Sequence, residues 1–113
     1  MSTIFKKIIN KEIKADIVYE DDKVLAFKDI NPQAPIHILI IPKVEIKTTN
    51  DIKSNDKELV GHIVLVASKL ATKLKIDNSG YRLVFNCNED GGQTVYHIHM
   101  HLIGGRKLSW PPG

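Results

Sequence analysis

The segment His97-Ile98-His99-Met100-His101-Leu102-Ile103 places three of the chain's five histidines within five positions, strictly alternating with apolar residues. On a strand, side chains alternate between faces, so the three imidazoles share one side while Ile98, Met100 and Leu102 share the other. Successive imidazoles then start ~6.6 Å apart along the strand, close enough to surround one phosphate-sized group. The apolar triplet anchors the strand in a core and leaves the polar face available. Three chemistries compete for such a face. A solvated surface fits poorly, because Lys, Thr or Glu would serve it and His is uncommon. A metal site is open to imidazole, which suits zinc, copper and nickel. Histidines at i, i+2 and i+4 of one strand approach tetrahedral geometry awkwardly, however, and no nearby Cys, Asp or Glu completes the set, although His37 could contribute. Catalysis on phosphate is the favoured reading. One imidazole attacks while its neighbours donate hydrogen bonds or protons, since a pKa near 6.5 lets adjacent histidines hold different protonation states.

Other candidates are weaker alone. His37 opens the apolar run His37 to Ile41, sharing a face with Leu39 and Ile41; a single His at a strand start is usually structural. Asp29 ends an apolar strand, where it would ordinarily begin a turn. Gly91-Gly92 lets backbone N–H groups approach an anion closely, and Thr94 adds a hydroxyl. Cys87 is the sole cysteine, so no internal disulfide forms; within a strand from 81 to 87 it reads as a small buried hydrophobe. His62, beside the apolar stripe of the long helix, reads as a core or interface residue.

The elements that must position these groups follow from local pattern. Ser2 or Thr3 caps a short helix through about Asn10, with Ile4, Phe5, Ile8 and Ile9 as its apolar side. Strands are expected at 17–20 and 24–28 around the turn-prone Asp21-Asp22, and at 37–41, closed by Pro42. Asn31-Pro32-Gln33-Ala34-Pro35 is a loop. Asn55 and Glu58 resemble a capping box opening one long helix to about Lys75. Its residues Leu59, Ile63, Val66, Leu70 and Leu74 recur at spacings of three and four. Val60, Val64, Ala67 and Ala71 widen the stripe beyond what one sheet face requires, which suggests a contact with another subunit. A strand at 81–87, a loop at 88–94 and a strand at 96–103 complete an α+β domain with a five-stranded antiparallel sheet, one short N-terminal helix and one long helix.

At 113 residues the chain is read as a single domain, 1–113, of ordinary soluble composition. No apolar stretch has the length of a membrane span, and the N-terminus lacks the basic-then-apolar order of a secretory signal. The expected location is the cytoplasm, with the nucleus also open. The net charge of +3 is spread among alternating acids and bases without a dense block, so no nucleic-acid partner is expected.

The triad, with its flanks, resembles the histidine-triad (HIT) family, whose signature is His-φ-His-φ-His-φ-φ with φ apolar. The resemblance covers essentially the whole chain. It includes Ile4-Phe5, Lys7-Ile8-Ile9, Leu25-Ala26-Phe27, Asp29-Ile30 and Pro32-Gln33-Ala34-Pro35 with His37. It continues through Asp90-Gly91-Gly92-Gln93 and the triad to Gly104-Gly105-Arg106 and Trp110-Pro111-Pro112-Gly113. Within the family it looks like the nucleotide-binding (Hint) branch of purine nucleoside phosphoramidases. That resemblance implies a HIT-like homodimer, paired through the long helix and an edge strand, that hydrolyses AMP–amine bonds through a nucleotidyl-histidine. It implies no metal and no cofactor, with purine nucleoside monophosphates and their phosphoramidates as ligands.

Carried over by position, His99 would be the nucleophile, and His97 would orient it by accepting from the other ring nitrogen at its backbone carbonyl. His101 would contact the phosphate, and His37 would support that geometry. Asp29 would accept from the ribose hydroxyls. Phe5, Ile8, Phe27 and Ile30 would wall the base pocket, while Asn86, Gly92, Gln93 and Thr94 would line the phosphate and leaving-group side. Thr3 and Lys6 stand where some relatives carry a zinc-binding Cys-x-x-Cys pair, and Thr94 where a serine is common. Two alternatives share these residues: hydrolysis of dinucleoside polyphosphates, performed by another branch, and a purine-nucleotide-binding regulatory or scaffold role with incidental turnover.

Overall fold

The β-branched runs form strands where their alternation allows both faces to be covered. The computed structural model, which describes residues 3–113, contains β1 (Ile17–Glu20), β2 (Val24–Lys28), β3 (Ile36–Pro42), β4 (Tyr81–Phe85) and β5 (Met100–Gly104). They make one antiparallel sheet in the order β1-β2-β3-β5-β4. Three helices accompany it: α1 (Ile4–Ile9), α2 (Lys57–Lys73) and the single turn α3 (Asn88–Gly91).

On one face, Val24, Ala26, Ile38, Ile40, Met100 and Leu102 pack against Ile63, Val66, Ala67, Leu70 and Ala71 of α2. On the other, Leu25, Phe27, Leu39 and Ile41 meet Phe5 and Ile8 of α1. Burial on both sides explains why β2 and β3 read as continuous apolar runs. The α1 layer is the smaller, so it covers only part of its face and leaves room beside it for a site. No helix among the described residues is long and apolar enough to cross a membrane.

Several boundaries differ from the sequence expectation. Thr3 caps α1, its hydroxyl accepting the Lys6 N–H at 3.1 Å, while Ser2 lies outside the described residues. The capping box at Asn55 and Glu58 does not form. The polar stretch before α2 makes two 3₁₀ turns, Thr49–Asp51 and Ser54–Asp56, and the second draws Asp56 into the N-cap position. Asp56 offers no side-chain cap to the helix, because its carboxylate accepts the Lys53 N–H at 2.9 Å instead. Strand β4 ends at Phe85, and Asn88 (φ 59) turns the chain into α3, within what was expected to be a plain loop. Cys87 is therefore half-buried beyond the strand. Hydrogen bonds from the neighbouring Thr48–Asn50 turn, the Thr49 side chain foremost, lower its thiol pKa.

The consequential difference concerns the triad. Strand β5 begins at Met100, not at 96, so His97 and His99 precede it. Its partner β3 ends at Pro42, which has no N–H to continue a ladder. The incoming segment is tied elsewhere, through the Ile98 N–H and the Ile46 carbonyl at 2.7 Å.

Candidate active site

The imidazoles still gather on the α1 side of the sheet. His99 and His101 have ring centroids 5.1 Å apart, and His37 joins from β3 at 5.2 Å from His101. The Phe5 ring stands edge-on to His99 at 4.9 Å and to His97 at 6.2 Å. His97 is wholly buried, so it is not part of an open polar face as strict alternation predicted.

The hydrogen bonds determine which nitrogen carries each proton. His99 Nδ1 lies 2.8 Å from the His97 carbonyl. A carbonyl only accepts, so Nδ1 is protonated and Nε2 of the neutral ring holds a lone pair. His97 Nε2 donates to the Pro42 carbonyl at 2.7 Å, which leaves its Nδ1 as a buried acceptor with no partner among the described residues. His37 Nδ1 accepts the Gln33 backbone N–H at 3.1 Å. Its proton is thus on Nε2, facing His101 Nδ1 at 2.9 Å and Asp29 Oδ2 at 3.5 Å. His101 Nδ1 accepts, and its remaining proton is on Nε2.

All four rings are shifted toward the neutral form. Burial pushes His37, His97 and His99 below the usual histidine value, against the opposing pull of Asp29 on His37 and His99 and of hydrogen bonds to the Pro42 carbonyl for His97 and to the His97 carbonyl for His99. Burial, with His99 and His37 alongside, brings His101 down to about 4.

Beside these rings lies a cavity of about 390 Å³ with an apolar floor of Phe5, Ile8, Phe27 and Leu39. His99, His101, Asp29 and Thr94 border it, and Ile30, 95% exposed, stands at its mouth. Asp29 acts as the turn former its position suggested. Its Oδ1 accepts the Asn31 N–H at 2.8 Å, as a turn former would, while Oδ2 remains directed toward His37.

Not every expected residue reaches this cavity. Asn86 lines a separate groove of about 500 Å³ with Gln33, Arg82 and Arg106. Gly92, at φ 82, caps α3 and borders neither space. Gln93 is buried, and its side chain is committed to backbone groups of its own loop and of the segment after β3. Its amide nitrogen donates to Lys47 and Val95 carbonyls at 2.7 and 3.1 Å, and its oxygen accepts the Asn88 N–H at 2.9 Å. Sequence reasoning had no signal for Lys14, Ala15 and Val95, which also line the cavity. It had none for the Gln33 N–H either, because backbone donors carry no residue-type signature.

A larger hollow, about 620 Å³, lies elsewhere, lined by Asp21, Lys43, Asn55, Glu58 and His62. His62 is not a core residue. Its Nε2 sits 2.7 Å from Asp21 Oδ2, tying α2 to the β1–β2 turn. Asp21 also accepts from Tyr19 and from the Lys23 and Val24 N–H groups, and these bonds outweigh burial to hold its carboxyl well below the usual range.

Asp29, His37 and His101 have ligand-type atoms within 4.8 Å of one another, the metal-competent grouping among the described residues. Their protonation opposes a metal. For His37 Nε2 to coordinate, its proton must move to Nδ1, where the Gln33 N–H already points from 3.1 Å. Two donors would then face each other.

Comparison with known proteins agrees with this architecture. The HIT domain pattern matches residues 10–108. The purine nucleoside phosphoramidase of Escherichia coli (strain K12) is 57% identical over 106 residues, 94% of this chain and 89% of that one. The crystal structure of a HIT family hydrolase from Legionella pneumophila superposes with a TM-score of 0.98 at 54% identity, covering 99% of this chain and 100% of that one. A histidine triad nucleotide-binding protein from Candida albicans superposes at a TM-score of 0.84 and 34% identity, covering 97% and 83%. From pattern, sequence and fold together, the chain belongs to the HIT domain family.

Proposed function

We propose that the protein is a hydrolase of purine nucleoside phosphoramidates, with His99 as its nucleophile. One observation carries the reading: the His97 carbonyl holds the proton of His99 on Nδ1, leaving an Nε2 lone pair beside an apolar slot wide enough for a base. The similarity to a purine nucleoside phosphoramidase supports the same choice.

In this reading the base lies over Phe5, Ile8 and Phe27 near Ile30, and the Asp29 carboxylate, whose oxygens each keep a further lone pair, accepts from the ribose. His99 Nε2 attacks phosphorus and the P–N bond breaks. The amine leaves with the bonding pair and takes one proton from solvent at the open mouth. The nucleotidyl-imidazole is cationic, and its Nδ1–H remains on the His97 carbonyl, which stabilises it. Water then attacks phosphorus, the P–Nε2 bond breaks, the nucleoside monophosphate departs and one proton is released. The Nε2–H of His101 donates to a phosphoryl oxygen as charge develops there.

The same reading includes a homodimer. Its support is the free outer edge of β4 and the exposed Val64 and Leu65 on α2. Trp110 is 80% exposed, with the Arg82 guanidinium 5.9 Å from its ring centroid.

The test uses purified protein with AMP–amine, GMP–amine and dinucleoside polyphosphate substrates. The phosphoramidates are expected to turn over faster than the dinucleotides. His99→Ala should lose turnover and keep AMP binding, because base and ribose contacts lie elsewhere. Near-normal turnover by His99→Ala removes the nucleophile assignment, and a preference for dinucleotides replaces the substrate class.

A further inference from the structure

The proton arrangement of His37 and His101 originates at the N–H of Gln33, and the carbonyl of the same residue, in the next peptide unit, is held from outside the cavity. Gln33 is fixed at both ends. Its N–H donates to His37 Nδ1 at 3.1 Å. Its carbonyl accepts two bonds from the Arg106 guanidinium, from Nη2 at 2.9 Å and Nε at 3.3 Å. The loop between them is cross-braced, with Asn31 N–H on Asp29 Oδ1 and Gln33 Nε2 on the Asn31 carbonyl at 3.0 Å. Arg106 can reach this loop because Gly104 pairs with Ile36 at the end of β5. The next residue, Gly105, has φ +90, and a Cβ there would lie 2.9 Å from Pro35 Cβ. Glycine at 105 is what lets the two loops touch.

We propose that Arg106 is a positioning residue that selects the protonation pattern of the site. By clamping the Gln33 carbonyl it keeps the Gln33 N–H aimed at His37 Nδ1. His37 then donates from Nε2 to His101 Nδ1, and His101 presents an N–H from Nε2. When the clamp is lost, His37 is free to carry its proton on Nδ1. Its Nε2 becomes an acceptor facing His101 Nδ1, which must take a proton to satisfy it. His101 Nε2 becomes a lone pair, turned toward oxygens that are themselves negative. A donor to the developing charge is exchanged for a repulsive acceptor, with no catalytic atom removed.

The test has a spectroscopic arm that does not depend on the substrate. ¹⁵N NMR of labelled histidines is expected to show His37 and His101 of the wild-type protein each protonated on Nε2 alone. Arg106→Ala should give mixed tautomers at both rings. Arg106→Lys, which can place one donor on the same carbonyl, should lie closer to wild type. The kinetic arm rests on the phosphoramidase reading. Arg106→Ala should lower kcat about tenfold, a fraction of the loss expected when an oxyanion donor is deleted, with KM within twofold of wild type. In a His101→Ala background the same change should have no further effect on kcat, because the residue it acts through is gone. Unchanged tautomers in Arg106→Ala overturn the proposal. So does a kcat loss that persists undiminished in the His101→Ala background. If wild type turns over no phosphoramidate while the tautomers shift as expected, the functional reading fails and the clamp stands.

Discussion

Acidification from pH 7 to 4.5 is expected to destabilise the fold through its buried imidazoles. In an unfolded chain an imidazole titrates near 6.5. In the folded protein burial lowers His37, His97, His99 and His101, the last to about 4. Between those values the unfolded chain binds protons that the native state refuses. A histidine with a depressed folded pKa contributes its full stability above 6.5, and loses it as pH falls toward the folded value. For His101, the interval from 6.5 to about 4 converts to roughly 3 kcal/mol at 1.36 kcal/mol per pH unit. The ring keeps some solvent contact, so screening reduces the expected contribution to ~1–2 kcal/mol. Glu20, whose bonds from Lys11 and Lys43 lower its pKa from 4.5, and Asp21, lowered from 3.8, lose their contributions only below those values. The window from pH 4.5 to 6.5 therefore reports the histidines. Urea unfolding across it should show stability falling with pH, and His101→Gln should show a shallower fall by that ~1–2 kcal/mol. A flat wild-type profile, or an unchanged slope in His101→Gln, would refute the reasoning.

Two further outcomes are expected. Turnover should survive EDTA, and added zinc should inhibit, because a metal on Asp29, His37 and His101 must displace the proton that His37 gives to His101; EDTA inactivation reversed by one specific metal would contradict this. Light scattering should give a dimer at micromolar concentration, and truncation after Leu108 should change the preference among amine leaving groups more than AMP affinity; a monomer, or an unchanged preference, would count against the tail's role.

Legibility in the sequence tracked the range of the interaction concerned. The alternation of residues 97–103, the apolar stripe of α2 and the runs of β2 and β3 record burial, which acts on side-chain type at short periods. The five strands, the short first helix and the long helix followed from them; the order β1-β2-β3-β5-β4 within the sheet, the turn α3 and the two 3₁₀ turns did not. Nor did boundaries, some of which depend on partners distant in the chain. Strand β5 starts late since Pro42, more than fifty positions earlier, ends the strand beside it; the start of α2 moved for a local reason, because the 3₁₀ turn Ser54–Asp56 puts Asp56, not Asn55, at the N-cap.

The sequence alone determined the α+β class, the histidine cluster, its apolar anchors and, through resemblance, the family. The resemblance implied the bond from His99 to the His97 carbonyl, but only the tertiary structure decided which nitrogen of His37, His97 and His101 carries a proton. That choice rests on the carbonyl of Pro42 and on the N–H of Gln33. Backbone groups are the same at every non-proline position, so their direction cannot be read from residue types. The fold aims them, and in aiming them it leaves a lone pair on His99 Nε2 and a proton on His101 Nε2.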